Sequence, residues 1–470
     1  MNRSIKKNVI LNVIRQGCSI VFPLIIFPYI SRVLGPENYG KYSFILSIVN
    51  YFTLFAMLGI NTYAIREGAR IRNNKDYLNK FASEITTINF ISMVISIIVL
   101  GILTIIYSKL YEYKELLLIL SFIIPCTMLG RDWINNIFED FLYITVRYVL
   151  LQLLGIIAIF IFVRNSNDYI IYSLIYMISI SFGYIINLFY TQRYIKFRFT
   201  NKINLKEHLK PISILFVGQL ATTIYIQSDI TMLGIMKTEY DVGIYTVASK
   251  IYTIIKGLLS AIVNVIIPRM GYYLGQGDKY NYNLIINKLF TYLFSSVFPL
   301  MVGLICMSKE ILMLVGGEQY LKGALALEIL GIALVFAVIS GFWCNAILIT
   351  NRQEKSFLII TVFSAMINIG LNILLIPSYS IVGAAITTLI SEVIVTVLSI
   401  IKGRNYCDIS IKRKNIFSVF IGTILICLVC IFSKFIIYNY IIRLIVSILV
   451  SIIIYYIVLR IMKNDLAIKK

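Results

Sequence analysis

The chain alternates between long apolar blocks and short polar gaps from one end to the other. Each block is about twenty residues long, which is the length that an α-helix needs to cross the hydrocarbon core of a bilayer. Helices and closed barrels are the structures that satisfy all backbone hydrogen bonds in lipid, so the pattern predicts an all-α membrane protein. Fourteen transmembrane helices are expected, at residues 9–33, 41–61, 81–106, 116–134, 148–163, 170–192, 211–234, 244–267, 289–307, 323–349, 357–376, 383–401, 416–433 and 441–461.

Charge predicts how these spans are oriented. The composition is 59% hydrophobic and 14% charged over 470 residues, and lysine and arginine gather in every second gap. The segments on one side carry 30 of them and the segments on the other side carry 9. Cytoplasmic loops hold the excess of positive charge, so we expect a multi-pass inner (plasma) membrane protein with both termini in the cytoplasm. The net charge of +21 reflects this topology, and no nucleic-acid partner is expected.

Short gaps between the spans leave little room for a catalytic domain, so a transporter is favoured over an enzyme. We find no glycine-rich phosphate loop after a strand and expect no cofactor and no metal. His208, the one histidine, lies in a basic gap and is expected at the surface. Cys427 and Cys430 form a C-x-x-C inside an apolar block, and we expect them to be small buried side chains rather than a redox or metal site.

An internal repeat predicts how the spans are grouped. Residues 34–42 read Leu-Gly, a short turn and Gly-x-Tyr, and residues 233–245 repeat this order. Trp133 and Trp343 each lie near the inner end of the fourth span of their half. Parallel repeats make transporters of two lobes with a substrate path between them, although chance similarity is the alternative. We expect two six-helix lobes in parallel repeat and an appended C-terminal helix pair, at 1–200, 201–410 and 411–470.

Three segments resemble a known family. The stretch Arg32-Val-Leu-Gly-Pro-Glu-Asn-Tyr-Gly-Lys-Tyr-Ser-Phe44 resembles the signature of Wzx-type polysaccharide-biosynthesis flippases, a branch of the multidrug/oligosaccharidyl-lipid/polysaccharide exporter superfamily. Residues 130–139 resemble the W-x5-E segment of that family, with Asn135-Asn136 in place of a bulkier aromatic/Gln pair, and residues 225–245 resemble its seventh-helix motif. The residues that carry the family motif are Arg32, Gly35, Gly40, Tyr42, Gly234, Gly243 and Tyr245.

The resemblance implies a function. Such proteins move undecaprenyl-pyrophosphate-linked oligosaccharide repeat units from the inner to the outer leaflet by alternating access, for synthesis of a surface polysaccharide such as O-antigen or capsule. It also implies that the chain is not an enzyme and needs no cofactor. The partners would be the lipid-linked oligosaccharide, membrane lipid and, as a candidate, polysaccharide polymerase machinery.

Polar residues recur at helical spacing within several spans and predict a central cavity. An ionisable side chain in hydrocarbon costs about 2.5–3.5 kcal/mol on insertion scales, so it is expected to face a cavity or a partner. Arginine and lysine are natural partners for a diphosphate. Interhelical hydrogen bonding is the alternative for the neutral residues. The expected substrate-binding residues are Arg15, Gln16, Gln219, Tyr252, Lys256 and Asn368.

Three further charges are candidates for ion coupling or gating. Asp229 and Lys250 lie at similar depths in consecutive spans, so they either form a structural ion pair or act in coupling. Glu392 lies near the middle of its span without a partner nearby in sequence, and is the better candidate for proton or sodium coupling.

Other functions fit the pattern less well. A cation-coupled exporter of small molecules, from the same superfamily, should have an acidic cavity, whereas the charges that this chain places within its spans are mainly basic. A membrane sugar polymerase or ligase should have a long outer loop with paired charges, which the sequence lacks. A peptidoglycan-precursor flippase would share the count of fourteen helices but not these motifs.

Overall fold

A computed structural model describes residues 5–196, 198–200 and 204–466, and these fold into helices joined by short connections. The chain forms two compact units, Met1–Ile235 and Met236–Lys470. Helices long and apolar enough to cross a membrane occur in both units. The first four and last four residues, to which the predicted cytoplasmic termini belong, lie outside the described part of the chain.

The described residues of the first unit form ten α-helices. They are α1 (Ile5–Met57), α2 (Ile60–Ile71), α3 (Lys75–Ile106), α4 (Ser108–Glu112), α5 (Lys114–Ser121), α6 (Ile123–Gly130), α7 (Asp132–Ile137), α8 (Phe141–Phe162), α9 (Tyr169–Thr191) and α10 (Leu205–Met236).

Seven α-helices follow in the described part of the second unit. They are α11 (Glu239–Gly275), α12 (Lys279–Cys306), α13 (Ser308–Val315), α14 (Ala324–Gly341), α15 (Glu354–Gly403), α16 (Arg413–Ile436) and α17 (Tyr440–Ile461). A π-helical turn, Phe342–Ile349, continues α14.

The prediction of an all-α membrane fold is confirmed, and the count of spans agrees once two bent helices are divided. Twelve stretches of the described chain are long and apolar enough to cross a membrane. Two of the bends lie inside a single helix, at Gly35 in α1 (φ 70°) and at Ser380 in α15 (φ 46°), each with the positive φ that interrupts a helix. Each break leaves two arms of spanning length, which gives the fourteen predicted spans.

The break at Ser380 folds α15 into a hairpin with closely packed arms. A Cβ at Gly383 would lie 2.5 Å from the Leu375 carbonyl oxygen on the opposite arm. The Thr387 hydroxyl donates a hydrogen bond to Asn372 Oδ1 across the hairpin at 2.5 Å. Only a residue without a side chain permits this approach at position 383.

One helix lies where the sequence predicts a loop. Residues 62–80 are expected to be a basic cytoplasmic connection, but most of this stretch belongs to α2 and the start of α3. Leu58 and Gly59 adopt positive φ and end α1, and α2 then begins in a new direction. The helix buries Tyr63 and Ala64 on one face and leaves its arginines exposed. Its apolar face is too short to be recognised as a membrane span.

Three described residues of the connection between α9 and α10, Lys196, Arg198 and Thr200, lie along α3, and we call them the strap. Their backbone N–H groups donate to side chains one turn apart on α3. Two residues of an extended chain span about 6.6 Å, close to the rise of about 6 Å over four helical residues. The pairs are Lys196 with Asn79 at 2.9 Å, Arg198 with Ser83 at 3.1 Å and Thr200 with Thr87 at 3.2 Å.

The strap leads into α10, which packs within the first unit. Thr231 of α10 donates to Ser47 of α1 at 2.8 Å, and the Phe216 ring packs against Phe55 with the ring centroids 5.4 Å apart. The two compact units therefore divide after Ile235, whereas the repeat predicts lobes that divide after residue 200. The lobe boundaries remain a prediction from the repeat.

Helices α16 and α17 form the predicted C-terminal pair, which packs against α12. The start of α16 and the end of α17 are joined through Asp465, which contacts Lys412 at 3.0 Å and Lys414 at 2.9 Å. Partial burial alone would raise the pKa of the Asp465 carboxyl. Hydrogen bonds from Lys414, Lys412 and Asn415 outweigh that effect and hold the pKa well below its usual range.

Candidate functional site

A buried carboxylate lies at the centre of a polar cluster in the second unit. Glu392, on the second arm of α15, is 2% exposed. Its Oε1 accepts hydrogen bonds from the Lys256 ammonium at 2.6 Å and from the Tyr252 hydroxyl at 2.9 Å. The Ser340 hydroxyl lies 3.3 Å from its Oε2 and 3.1 Å from the Ala337 carbonyl oxygen, so the two acceptors share one hydroxyl hydrogen. Each carboxylate oxygen thus has a donor within reach, as a charge removed from water requires. We call Glu392, Lys256, Tyr252 and Ser340 the Glu392 cluster.

Three helices assemble the Glu392 cluster. Tyr252 and Lys256 are four residues apart on α11, so their side chains lie on the same face of that helix. Ser340 is one residue from the end of α14, just before the π-helical turn. Glu392 comes from α15, which contacts both α11 and α14.

The ion pair between Lys256 and Glu392 is asymmetric. The Lys256 side chain is 28% exposed and the Glu392 side chain is 2% exposed. The carboxylate is therefore enclosed, whereas the lysine side chain is partly exposed. An ammonium held in place by a buried counter-ion can accept a second anion, such as a phosphate group.

The structure joins residues to which the sequence assigns separate roles. Lys256 is predicted as a cavity cation and Glu392 as a coupling carboxylate without a partner nearby in sequence, and they form one ion pair. Their separation of 136 residues hides this contact from periodicity. Ser340 was missed because a single serine in an apolar helix is usually a packing residue. Tyr252 lies in the site with its hydroxyl on the same carboxylate.

Asn368 lies inside the α15 hairpin. It is 1% exposed, and its Oδ1 accepts a hydrogen bond from Asn372 Nδ2 at 3.1 Å. Asn372 in turn accepts the bond from Thr387 on the other arm. This arrangement matches the interhelical hydrogen bonding that the sequence leaves open as an alternative, and the substrate-binding role of Asn368 remains a prediction.

The remaining predicted site residues lie in both units. In the first unit, Arg15 is half-buried and donates to Asn12 Oδ1 at 3.2 Å, and Gln16 is exposed. Gln219 approaches Thr62 Oγ1 at 3.4 Å, and Asp229 is 6% exposed. In the second unit Lys250 is exposed. Two expectations remain predictions. One is a cavity shared by Arg15 and Lys256, and the other is an ion pair between Asp229 and Lys250.

The residues of the family motif lie at a helix break and at close contacts between helices. Gly35 has a positive φ at the break in α1, Gly40 and Gly243 are buried, and Arg32 is exposed. Gly234 faces Phe44, because a Cβ there would lie 1.9 Å from that ring. Position 35 therefore favours glycine because of its positive φ, and position 234 because a side chain there would overlap Phe44.

The two tyrosines of the Gly-x-Tyr motif are both buried. Tyr42 packs against Tyr172 and Tyr176 of α9, with ring centroids 4.7 and 5.6 Å apart. Tyr245 places its hydroxyl 3.3 Å from Thr388 Oγ1 on the second arm of α15. Each tyrosine thus connects its own helix to another helix of the same unit.

His208 is buried, and the expectation that it lies at the surface is wrong. It is 3% exposed. Its Nε2 lies 2.9 Å from Glu84 Oε2 on α3, and its Nδ1 lies 2.9 Å from the Tyr63 hydroxyl on α2. The error arises because α10 begins at Leu205, earlier than the predicted span, so His208 belongs to the first turn of a packed helix. The residue fastens α10 to α2 and α3.

Hydrogen bonds and an ion pair connect the W-x5-E segment to neighbouring helices of the first unit. Asn135 is fully buried, and its Oδ1 accepts a hydrogen bond from Asn187 Nδ2 at 2.8 Å. Glu139 forms an ion pair with Arg72 at 2.9 Å. Asp140 accepts hydrogen bonds from the Tyr190 and Tyr194 hydroxyls at 2.6 and 2.7 Å. In this chain the segment therefore joins α2, α7 and α9, and its buried asparagine replaces a bulkier side chain.

The C-x-x-C pair has a third cysteine beside it. Cys306 Sγ, at the end of α12, lies 3.7 Å from Cys427 Sγ on α16, and Cys430 is buried. Within the described residues, no group of three or more histidine, cysteine, aspartate or glutamate side chains is arranged to hold a metal. Cys306 and Cys430 pack in an apolar cluster with Met307, Ile426 and Tyr455.

Two curated relatives are similar to the chain over most of its length. A putative O-antigen transporter from Escherichia coli (strain K12) is 26% identical over 424 residues, covering 86% of this chain and 97% of the relative. The capsular polysaccharide biosynthesis protein CapF from Staphylococcus aureus is 24% identical over 405 residues, covering 82% and 94%.

Solved structures agree on the fold. The lipid II flippase MurJ, in an inward closed conformation, has a TM-score of 0.77 at 18% identity, covering 98% of this chain and 99% of that protein. An inward-facing multidrug resistance MATE family transporter of the MOP superfamily has a TM-score of 0.60 at 15% identity, covering 84% and 97%. Residues 5–274, more than half of the sequence, match the family described as polysaccharide biosynthesis protein, and the chain belongs to that family.

Proposed function

We propose that this protein is a flippase that moves undecaprenyl-pyrophosphate-linked oligosaccharide repeat units from the inner to the outer leaflet of the plasma membrane. The product would be used to build a surface polysaccharide such as O-antigen or capsule, and polysaccharide polymerase machinery is a candidate partner. The family and the names of its relatives support transport for polysaccharide synthesis.

The observation that carries the proposal is the Glu392 cluster. It places a partly exposed lysine, Lys256, within a helix long and apolar enough to cross a membrane. A lipid-linked sugar presents two phosphate groups between an apolar tail and a polar glycan. The ammonium would bind the diphosphate, and the surrounding aromatic and hydroxyl groups would lie beside the first sugars. The polyprenyl tail would remain in the lipid.

The same mechanism assigns roles to the other predicted site residues. Arg15 would supply a second cation for the diphosphate from the first unit, with Gln16, Gln219 and Asn368 hydrogen-bonding the glycan. The two repeat-related lobes would rock about the bound headgroup and expose it first inward and then outward. An engineered disulfide that fixes the outer ends of the lobes together should stop turnover, and undiminished turnover in the cross-linked protein would exclude rocking.

The energy source would be consumption of the product outside, an ion gradient or both. The sequence has no nucleotide-binding motif, and Asp229, Lys250 and Glu392 are the candidates for coupling or gating. We expect purified protein in vesicles to move a labelled lipid-linked oligosaccharide faster than protein-free vesicles. If Glu392 couples transport to an ion, an imposed pH or sodium gradient should change the rate in the wild type and not in Glu392→Gln. Identical gradient responses in both proteins would remove Glu392 as the coupling residue.

Orientation gives a separate prediction. Single cysteines at Asn167 and Asn73 should react with a membrane-impermeant thiol reagent, the first from outside intact cells and the second only after the membrane is opened. Both residues are exposed, and Asn73 is chosen because its neighbour Asn74 caps α3 by accepting a hydrogen bond from the Tyr77 N–H. A background with the seven native cysteines replaced by serine or alanine serves as the control. Reversed labelling would contradict the cytoplasmic placement of the termini.

A further inference from the structure

The strap carries exposed cations beside a pair of exposed aromatic rings. Lys196 and Arg198 are exposed, and Phe199, which lies between Arg198 and Thr200, is 59% exposed. The Phe199 ring packs against Phe90 of α3 with the ring centroids 5.1 Å apart, and Phe90 is itself 40% exposed. Positive charge and aromatic surface therefore adjoin each other on the outside of the first unit.

The exposed side chains of α3 indicate where the hydrocarbon of the bilayer begins. After Tyr77, the exposed large apolar side chains among the described residues of this helix begin at Phe90 and continue to Ile106. A helix surface that stays apolar over such a length is the part that faces lipid tails. Phe90 therefore marks the boundary between the hydrocarbon and the polar layer, and the Phe199 ring lies beside it at that depth.

The two cations lie on the polar side of this boundary. The Arg198 N–H meets α3 at Ser83 and the Lys196 N–H meets it at Asn79, seven and eleven residues before Phe90. These intervals correspond to about 10 and 16 Å of helix, and the polar layer of each leaflet is about 5–8 Å thick. Long basic side chains extend along apolar surface and keep their charge in the polar region. Arg198 is therefore within reach of the phosphate layer, and Lys196 lies on its water side.

The charge of these two cations is not neutralised by the part of the chain that the structure describes. Neither Lys196 nor Arg198 forms an ion pair there. Glu84 is the one acidic residue among residues 79–90 of α3. It is 4% exposed, and its Oε2 lies 2.9 Å from His208 Nε2. The surface thus presents positive charge next to an apolar wall, which is complementary to a lipid with an anionic headgroup.

We propose that an anionic phospholipid binds at this surface, with its phosphodiester on Arg198 and Lys196 and an acyl chain against Phe199 and Phe90. A guanidinium can bind two oxygens of one phosphate group, and the bilayer itself presents the phosphodiester at this depth. Charge places the connection between α9 and α10 on the predicted cytoplasmic side, so the lipid belongs to the inner leaflet. The bound lipid bridges the strap and α3, and the inference does not depend on what the protein transports.

A tryptophan at position 199 would report this lipid directly. The full-length Phe199→Trp variant is placed in phosphatidylcholine vesicles that contain a small fraction of brominated lipid, either phosphatidylglycerol or phosphatidylcholine with bromine on the acyl chains. Bromine quenches tryptophan emission at short range. The native Trp133 and Trp343 are buried, and the unsubstituted protein supplies their background. The fraction of brominated lipid that halves the added emission measures the relative affinity of each lipid for the site.

We expect Phe199→Trp to prefer phosphatidylglycerol over phosphatidylcholine by about fivefold or more, because one basic residue near an anionic lipid surface contributes about that factor. Adding Lys196→Gln and Arg198→Gln should abolish the preference. Arg66→Gln with Lys75→Gln serves as the matched control, since it removes two exposed cations of the same unit, on α2 and at the start of α3. The control should keep the preference.

Salt provides a second measurement that needs no change to the cations of the strap. The preference of Phe199→Trp for phosphatidylglycerol should fall as the salt is raised to about 1 M, where the Debye length is about 3 Å. Equal quenching by the two lipids, or a preference that salt does not change, overturns the site.

Two further results would also overturn the proposal. An equal loss of preference in the control variant would show a diffuse surface charge instead of a site. Displacement of brominated phosphatidylglycerol by farnesyl diphosphate, at a lower concentration than unlabelled phosphatidylglycerol requires, would assign the surface to an isoprenoid diphosphate.

Discussion

Replacing Lys256 with alanine should lower the free energy of unfolding by about 3 kcal/mol and slow transport by about 10- to 100-fold per folded molecule. The stability loss follows because Glu392, 2% exposed, would be left without its cation. The transport loss follows because the ammonium is the group that binds the diphosphate. Thermal unfolding in detergent measures the first effect, and flipping in vesicles, normalised to folded protein, measures the second.

A double variant separates the two roles of the pair. Lys256→Met with Glu392→Leu removes both charges, and replacing a buried ion pair by apolar side chains is often neutral for stability. We therefore expect the double variant to unfold near the wild-type temperature and yet to transport as slowly as Lys256→Ala. The matched pair is Glu310 with Arg443, where Arg443→Met with Glu310→Leu should leave transport unchanged. Wild-type transport by the Lys256/Glu392 double variant would show that the pair is only structural.

Replacing His208 with alanine should have a comparable effect on stability but a small effect on transport. The substitution removes hydrogen bonds at both ring nitrogens and takes from Glu84, 4% exposed, its partner on α10. The Glu84 carboxylate keeps the Asn204 N–H at 3.3 Å and the Lys80 ammonium at 4.0 Å. Leaving a buried polar group unsatisfied costs about 1–3 kcal/mol, and more for a charged group. We expect the free energy of unfolding to fall by about 2–3 kcal/mol.

The control for this prediction is Tyr63→Phe, which removes one hydrogen bond and keeps the ring contacts with His208 and Phe81. Tyr63→Phe should lower the free energy of unfolding by about 1 kcal/mol. Transport per folded molecule should remain close to that of the wild type in both variants, because the His208 contacts fasten α10 within the first unit. Unchanged stability in His208→Ala would exclude this structural role.

Much of the fold could be predicted because lipid restricts the choices of the backbone. The length of each apolar block predicted where a helix crosses the membrane. The breaks at Gly35 and Ser380 lie in the gaps between predicted spans. The helix α2 was missed because it carries no run of apolar residues long enough to cross a membrane. Its helical character depends on burying Tyr63 and Ala64 against the rest of the unit.

The site was only partly predictable. Helical spacing placed Tyr252 and Lys256 on one face of α11. The free-energy cost of a charge in hydrocarbon indicated that Glu392 must have a partner or face a cavity, and the residue is buried beside Lys256. Neither argument pairs residues from different helices, so the ion pair between Lys256 and Glu392 and the bond from Ser340 required the structure. His208 was misplaced because α10 begins at Leu205, before the predicted span, and because its partner Glu84 is 124 residues away.

The most direct test of the proposed function is the initial rate at which a fluorescent undecaprenyl-diphosphate oligosaccharide crosses the bilayer of vesicles that contain the purified protein. Wild-type protein should move the lipid well above the rate of protein-free vesicles, and the Lys256→Met/Glu392→Leu variant, folded and at the same density, should approach that background. A wild-type rate equal to that of protein-free vesicles, with the protein folded and the product continuously removed, would contradict the assignment as a flippase for lipid-linked oligosaccharides.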